Sequence, residues 1–176
     1  MSWNEDKGKA KVLSDSKGGS HYLLFQAFEM SCGPASVAMT ESQYKLACMI
    51  DAEGRARQLS QKYPGKWTAT GGTGAGNLTD VLNAEGVKTY ACTQVPNNQI
   101  FNYLSHYVKE RTSVICHIQW TKGGHFVVAR KVYSDGTVVF LDPWYGLVEV
   151  KSSNLPAYNP AGAGGSLSGW MNITYI

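Results

Sequence analysis

The sequence predicts an α+β fold, with a helical part first and an antiparallel sheet after it. In the first half apolar residues recur at three-and-four spacing, the mark of helices. From about residue 112 the texture changes to short β-branched and aromatic runs separated by turn residues, the mark of strands. A length of 176 residues fits one domain, so the two parts should meet along a cleft.

In chain order, residues 1 to 20, MSWNEDKGKAKVLSDSKGGS, are polar and rich in Lys, Ser, Asp and Gly. They read as a flexible arm ending at Gly18-Gly19, ahead of a domain covering 21 to 176. After Pro34, the residues Ala35, Ala38, Met39, Ser42, Leu46, Met49 and Ile50 share one helix face, while Thr40, Glu41 and Lys45 fall off it. This predicts a helix of about four turns, with Cys48 on its apolar side. A second helix over Ala52 to Lys62 must stop by Tyr63-Pro64, because a residue before proline avoids the helical region. GGTGAGNLTDVLNAEGV then gives a loop, an N-cap at Asn77, a short helix carrying Leu78, Val81 and Leu82, and Gly86 as terminator. Its glycines do not match GxGxxG and no Walker lysine follows, so it reads as a flexible loop and not a phosphate cradle. Residues 98 to 109 predict a further helix. The runs TSVICHIQW, HFVVARKVY, TVVFLD and LVEVK predict strands, Ser134-Asp135-Gly136 marks a hairpin, and GWMNITYI supplies the last strand.

Composition excludes several functions. A net charge of +3 with scattered Lys and Arg is a solvated surface and not a nucleic-acid footprint. The N-terminus lacks the apolar core of a secretory signal peptide, and no run is long enough to span a membrane. The four cysteines, Cys32, Cys48, Cys92 and Cys116, show no CxxC and no zinc-finger spacing with His, so reduced thiols and no metal or other cofactor are expected.

The stretch QAFEMSCGPASVAM carries the candidate chemistry. A catalytic cysteine must lose its proton and have the resulting charge stabilised. Cys32 would stand at a helix N-terminus, where unpaired N–H groups and the helix dipole favour a thiolate. Gly33 lets a substrate approach the main chain, and Pro34 suits the first helical turn. Gln26, six positions upstream, could join the Cys32 backbone N–H as an oxyanion hole. A lone cysteine here is most often a core thiol, so partners must decide. Of the four histidines His125 is the best placed as base, since it opens a strong strand after Lys122-Gly123-Gly124. If 125–133 pairs with 137–142 across the Asp135-Gly136 turn, Asp142 becomes its neighbour and would fix the imidazole tautomer. Cys116 and His117 lie inside a strand where only one can face inward, giving a core thiol and a solvent-facing imidazole. Trp144 and Tyr145 either wall the cleft or pack the turn; Gly124 and Trp144 are the candidate substrate-binding residues.

QAFEMSCGP, followed far downstream by GGHFVVARKV and FLDPWYG, resembles the papain-like cysteine peptidases, and within them the bacterial C39 or C39-like family that cleaves after double glycine. The resemblance implies a papain-like fold, with Gln26 as oxyanion donor, Cys32 as nucleophile, His125 as base and Asp142 as orienting acid. One position departs from the pattern: Ser31 stands where family members often carry an acid. The resemblance implies a cysteine endopeptidase acting on a protein or peptide, after Gly-Gly. Family members that process leader peptides are normally fused to a transporter. A chain with no span and a polar arm therefore fits a bacterial effector or toxin, cytoplasmic in its producer, delivered by a dedicated secretion system and covered at its cleft by a cognate inhibitor (immunity) protein. Two alternatives use the same residues: acyl transfer of the glutamine deamidase or transglutaminase kind, and an inactive binding module. Gly18-Gly19 also raises self-processing.

Overall fold

A computed structural model describes residues 3–48 and 51–176 of the chain. Helices and an antiparallel sheet segregate as expected. A one-turn helix α1 (Trp3–Asp6) leads into β1 (Ala10–Ser14) and β2 (Ser20–Leu24), then α2 (Cys32–Lys45), α3 (Ala52–Ser60), α4 (Ala75–Ala84), β3 (Thr89–Cys92) and α5 (Ile100–Tyr107). The sheet-forming half follows: β4 (Val114–Gln119), β5 (Gly124–Val132), β6 (Thr137–Asp142), β7 (Gly146–Lys151), β8 (Ala157–Tyr158) and β9 (Gly165–Thr174). The large sheet runs β3-β9-β4-β5-β6-β7 with β8 paired to β9, all contacts antiparallel, and β1-β2 forms a separate hairpin.

Strand alternation divides the core in two. Ile115, Phe126, Val128 and Leu141 face α2, α3 and α4, packing on Val37, Ala38, Leu78 and Leu82. Their sequence neighbours Val114, Cys116, Val127, Ala129 and Phe140 face the other way, toward Ile100 and Leu104 of α5. Each layer thus buries one face of the sheet, and the cleft opens where the start of α2 meets the ends of β5 and β6.

Several expectations need correction. The arm is structured over much of its length: Ala10–Ser14 pairs with Ser20–Leu24, from Ala10↔Leu24 to Ser14↔Ser20. Its polarity misled because a two-stranded hairpin buries only one side, giving the alternating pattern of β1. Helix α2 has no single apolar stripe. Every residue from Gly33 to Gln43 is buried, Thr40 and Glu41 included, because the helix is packed between the sheet, β2, α3 and α4. It ends at Lys45, with Leu46 in the left-handed region, so Cys48 is exposed beyond it. Met49 and Ile50 lie outside the described residues. Asn77 is no cap either: α4 starts two residues earlier behind Gly74, and the Asn77 side chain is buried against Ser60.

Candidate active site

Cys32 is the first residue of α2. The first N–H groups of a helix have no intrahelical acceptor, so the thiol stands beside free main-chain donors and the positive end of the dipole. The chain reaches this point through a tight turn in which Ser31 Oγ accepts from Phe28 N–H and donates to Phe28 O, both at 3.1 Å. Behind the thiol, a Cβ on Gly33 would press on Leu78 and Thr73 at 3.1 and 3.2 Å, so glycine lets α2 seat closely on the loop before α4.

His125, the second residue of β5, and Asp142, the last of β6, come together as the hairpin register predicts. Val128 pairs with Leu141, which sets Asp142 opposite Val127, on the same face as His125 and one diagonal step away. His125 Nε2 lies 2.8 Å from Asp142 Oδ1. Asp142 is wholly buried, and its Oδ1 also accepts from the N–H groups of Trp144 at 2.8 Å and Tyr145 at 3.0 Å. Its Oδ2 accepts from the Tyr158 hydroxyl at 2.8 Å. Burial works against a charged carboxylate, yet the His125 charge and hydrogen bond, with the Trp144 and Tyr145 N–H groups, hold the Asp142 pKa below its usual value. Burial likewise works against a charged His125, but the Asp142 carboxylate outweighs it, with a contribution from Cys32, and raises the imidazole to about 10. With Nε2 committed to Asp142, the nitrogen left for Cys32 is Nδ1.

Cys32 and His125 share the wall of a cavity of about 530 Å³. Gly124 and Trp144, both expected at the substrate, line it too, as does Tyr145. The remaining lining includes Glu29, Met30, Gly71, Gly72, Thr73, His117 and Trp120. Gly72 sits at φ +72 in a small turn closed by the Thr68–Gly72 bridge, which sets its backbone at the mouth. Among the described residues no three His, Cys, Asp or Glu side chains gather as a metal site.

Gln26 is not delivered as expected. Its side chain is fully buried and does not line the cavity; Nε2 donates to the carbonyls of Phe28 at 2.8 Å and Glu29 at 2.7 Å, and Oε1 is buried without a partner. Both amide hydrogens hold the loop entering α2, so the donors left for an oxyanion are main-chain N–H groups at the start of that helix. Sequence reasoning also missed three residues. His117 is half-buried and lines the cavity as well as meeting solvent, its Nδ1 lying 2.8 Å from Ser168 Oγ; burial and the neighbouring His125 charge push its pKa down. Thr73 carries a buried Oγ1 without a partner on the cavity wall. Tyr158, in NLPAYNP, had no local signal at all, since its partner Asp142 is brought to it only by β8 docking on β9.

The family model described as "Peptidase C39 family" matches residues 20–158, from the start of β2 to Tyr158. The chain belongs to the peptidase C39 family. It is accordingly a cysteine peptidase, and the family match includes Cys32, His125 and Asp142. The C39 fold is also seen in solved structures. A double-glycine-motif protease from an AMS/PCAT transporter, solved in complex with a leader peptide, superposes with a TM-score of 0.55 at 18% identity, covering 96% of this chain and 92% of that one. The peptidase domain of Streptococcus mutans ComA gives 0.54 at 15% identity, covering 88% and 98%. No curated protein matches the chain in sequence. Among the described residues no helix is long and apolar enough to cross a membrane.

Proposed function

We propose that this C39 peptidase cleaves peptide bonds after Gly-Gly with Cys32 as nucleophile, His125 as acid and base, and Asp142 as the residue that orients and charges the imidazole. The observation that carries the reading is that Cys32, at a helix N-terminus, lines one cavity with His125, which is bonded from behind to the buried Asp142. The Cys32 thiol gives its proton to His125 Nδ1, and the thiolate adds to the scissile carbonyl. The oxyanion is held by main-chain N–H groups at the start of α2; loss of one such donor costs about a hundred- to thousandfold in rate. His125 then protonates the leaving amine, and as base it activates the water that hydrolyses the thioester, a role worth about a hundred- to ten-thousandfold.

The walls support the Gly-Gly preference. Gly71, Gly72, Gly123 and Gly124 line the cavity together with the rings of Trp120, Trp144 and Tyr145, a lining that suits substrate residues without side chains beside Cys32. Of the two solved structures, one is described as a double-glycine-motif protease from a transporter and the other as a peptidase domain. The test is a peptide library carrying Gly-Gly before varied residues, incubated with wild type and Cys32→Ala. Cleavage confined to Gly-Gly sites and absent from the variant is expected; undiminished cleavage by Cys32→Ala sinks the proposal.

A further inference from the structure

Residues 3–19 precede the stretch matched by the family model, yet part of this segment is built into the back of the cleft. The Trp3 indole stacks on the Trp144 indole, with ring centroids 4.2 Å apart and planes 12° from parallel. Its Nε1–H donates to Gln26 O at 2.9 Å, while Gln26 N–H donates to Pro143 O at 3.0 Å. Trp3 therefore links two chains that meet at the site: the loop leading to Cys32 and the turn following Asp142. It is held there from its own side. Gly8 N–H donates to Phe25 O at 3.0 Å, Phe25 N–H to Lys9 O at 3.0 Å, and Lys11 Nζ pairs with Asp6 at 2.7 Å. Trp144 lines the cavity and Trp3 does not.

We propose that Trp3 is a positioning residue of the cleft: it backs the Trp144 ring so that this ring stands as a fixed wall for the bound peptide, making the segment 3–9 part of the active site. This rests on the peptidase reading above. The Trp144 main chain is already fixed by its N–H bond to Asp142, but nothing in that bond sets the ring. A flat partner at stacking distance does, because it removes the space into which the indole would swing. The chemistry of Cys32 and His125 does not pass through Trp3, so its loss should weaken peptide binding and leave the chemical step alone.

Two measurements on Trp3→Ala and Trp3→Phe test this. The first is KM and kcat on a peptide the wild type cleaves. The second, which needs no substrate, is the alkylation rate of Cys32, located by peptide mass mapping, with a bulky N-aryl maleimide relative to iodoacetamide. Trp3→Ala is expected to raise KM about three- to tenfold, the size one aromatic pair supports, with kcat within about twofold. It should also raise the bulky-to-small reagent ratio at least threefold, and Trp3→Phe should restore both toward wild type. Should Trp3→Ala fail to fold by circular dichroism, Trp3→Leu is measured in its place. An unchanged KM and ratio, or a kcat loss that phenylalanine does not rescue, overturns the proposal. A wild type that cleaves no peptide overturns the peptidase reading instead and leaves the reagent ratio to decide the role of Trp3.

Discussion

His125 Nε2 and Asp142 Oδ1 stand 2.8 Å apart across one β-hairpin, the histidine nearly and the aspartate wholly removed from water. Two buried charges are costly alone and stable together, and removing one strands the other. With the imidazole raised to about 10, its contribution to stability is fully present below its unfolded value near 6.5 and is lost as pH climbs through the folded value. NMR titration of the His125 ring should find it protonated well beyond pH 8. Asp142→Ala should bring the midpoint down by about two pH units or more, since burial is then opposed only by the smaller contribution of Cys32. An unmoved midpoint would show that Asp142 does not set the charge.

Tyr158→Phe keeps the ring and removes the only side-chain donor to Asp142 Oδ2 among the described residues. A buried acceptor left without its donor costs about 1–3 kcal/mol. Urea unfolding should show a lower midpoint at an unchanged slope, with peptidase activity reduced as Asp142 re-orients. A midpoint equal to wild type would mean that Oδ2 finds another donor.

Gly124 is required by a neighbour and not by its own backbone angles. A Cβ there would overlap the His117 ring, which packs flush against it across the β4–β5 ladder. Gly124→Ala should cost about 1–3 kcal/mol by overpacking and displace the adjoining His125. Pairing it with His117→Ala, which vacates the space, should recover much of the loss; a double-mutant cycle showing simple additivity would refute the contact.

Asp15 ties the N-terminal hairpin to the sheet. Its Oδ1 accepts from the N–H groups of Lys17 and Gly19, each at 2.9 Å, and its Oδ2 meets His21 Nε2 at 2.6 Å and the Tyr133 hydroxyl at 2.7 Å. Burial opposes the charge, yet these partners hold the Asp15 pKa well below the carboxylate range. A depressed acid stabilises above its unfolded pKa, near 3.9, and that share is lost as pH falls through the folded value. Asp15→Ala should therefore expose the β1 amides to hydrogen exchange at neutral pH, which wild type should show only in acid. Equal protection in both would remove Asp15 from the account.

The same turn bears on self-processing. Gly18 sits at φ +85, and a Cβ on Gly19 would meet both Asp15 Oδ2 and the Tyr133 hydroxyl at 2.6 Å. A cleft that takes an extended peptide cannot receive this Gly-Gly without dismantling the hairpin. The N-terminal mass should stay constant on prolonged incubation, and a shift at Gly19 would contradict this.

What the sequence disclosed is local chemistry joined by one register. Ser134-Asp135-Gly136 between two β-branched runs set the β5–β6 hairpin, and with it the meeting of His125 and Asp142; the glycine and proline after Cys32 set the start of α2. Interactions between distant segments had no such signal. Trp3 meets Trp144, and Tyr158 meets Asp142, only through the packing of whole elements. Gln26 shows the converse: its spacing from Cys32 was legible, but the competition for its amide by the Phe28 and Glu29 carbonyls depends on the conformation of the loop between them. The burial of Glu41, 2.6 Å from Lys45, hid a helix enclosed on all sides behind a charged residue.

The central claim, that Cys32 is the nucleophile and His125 its base, is tested most directly by the time profile of Cys32 alkylation with iodoacetamide at neutral pH, followed by mass in wild type and His125→Ala. The account predicts fast alkylation of the wild type and a rate lower by about tenfold or more in His125→Ala. Identical profiles in the two proteins would contradict it.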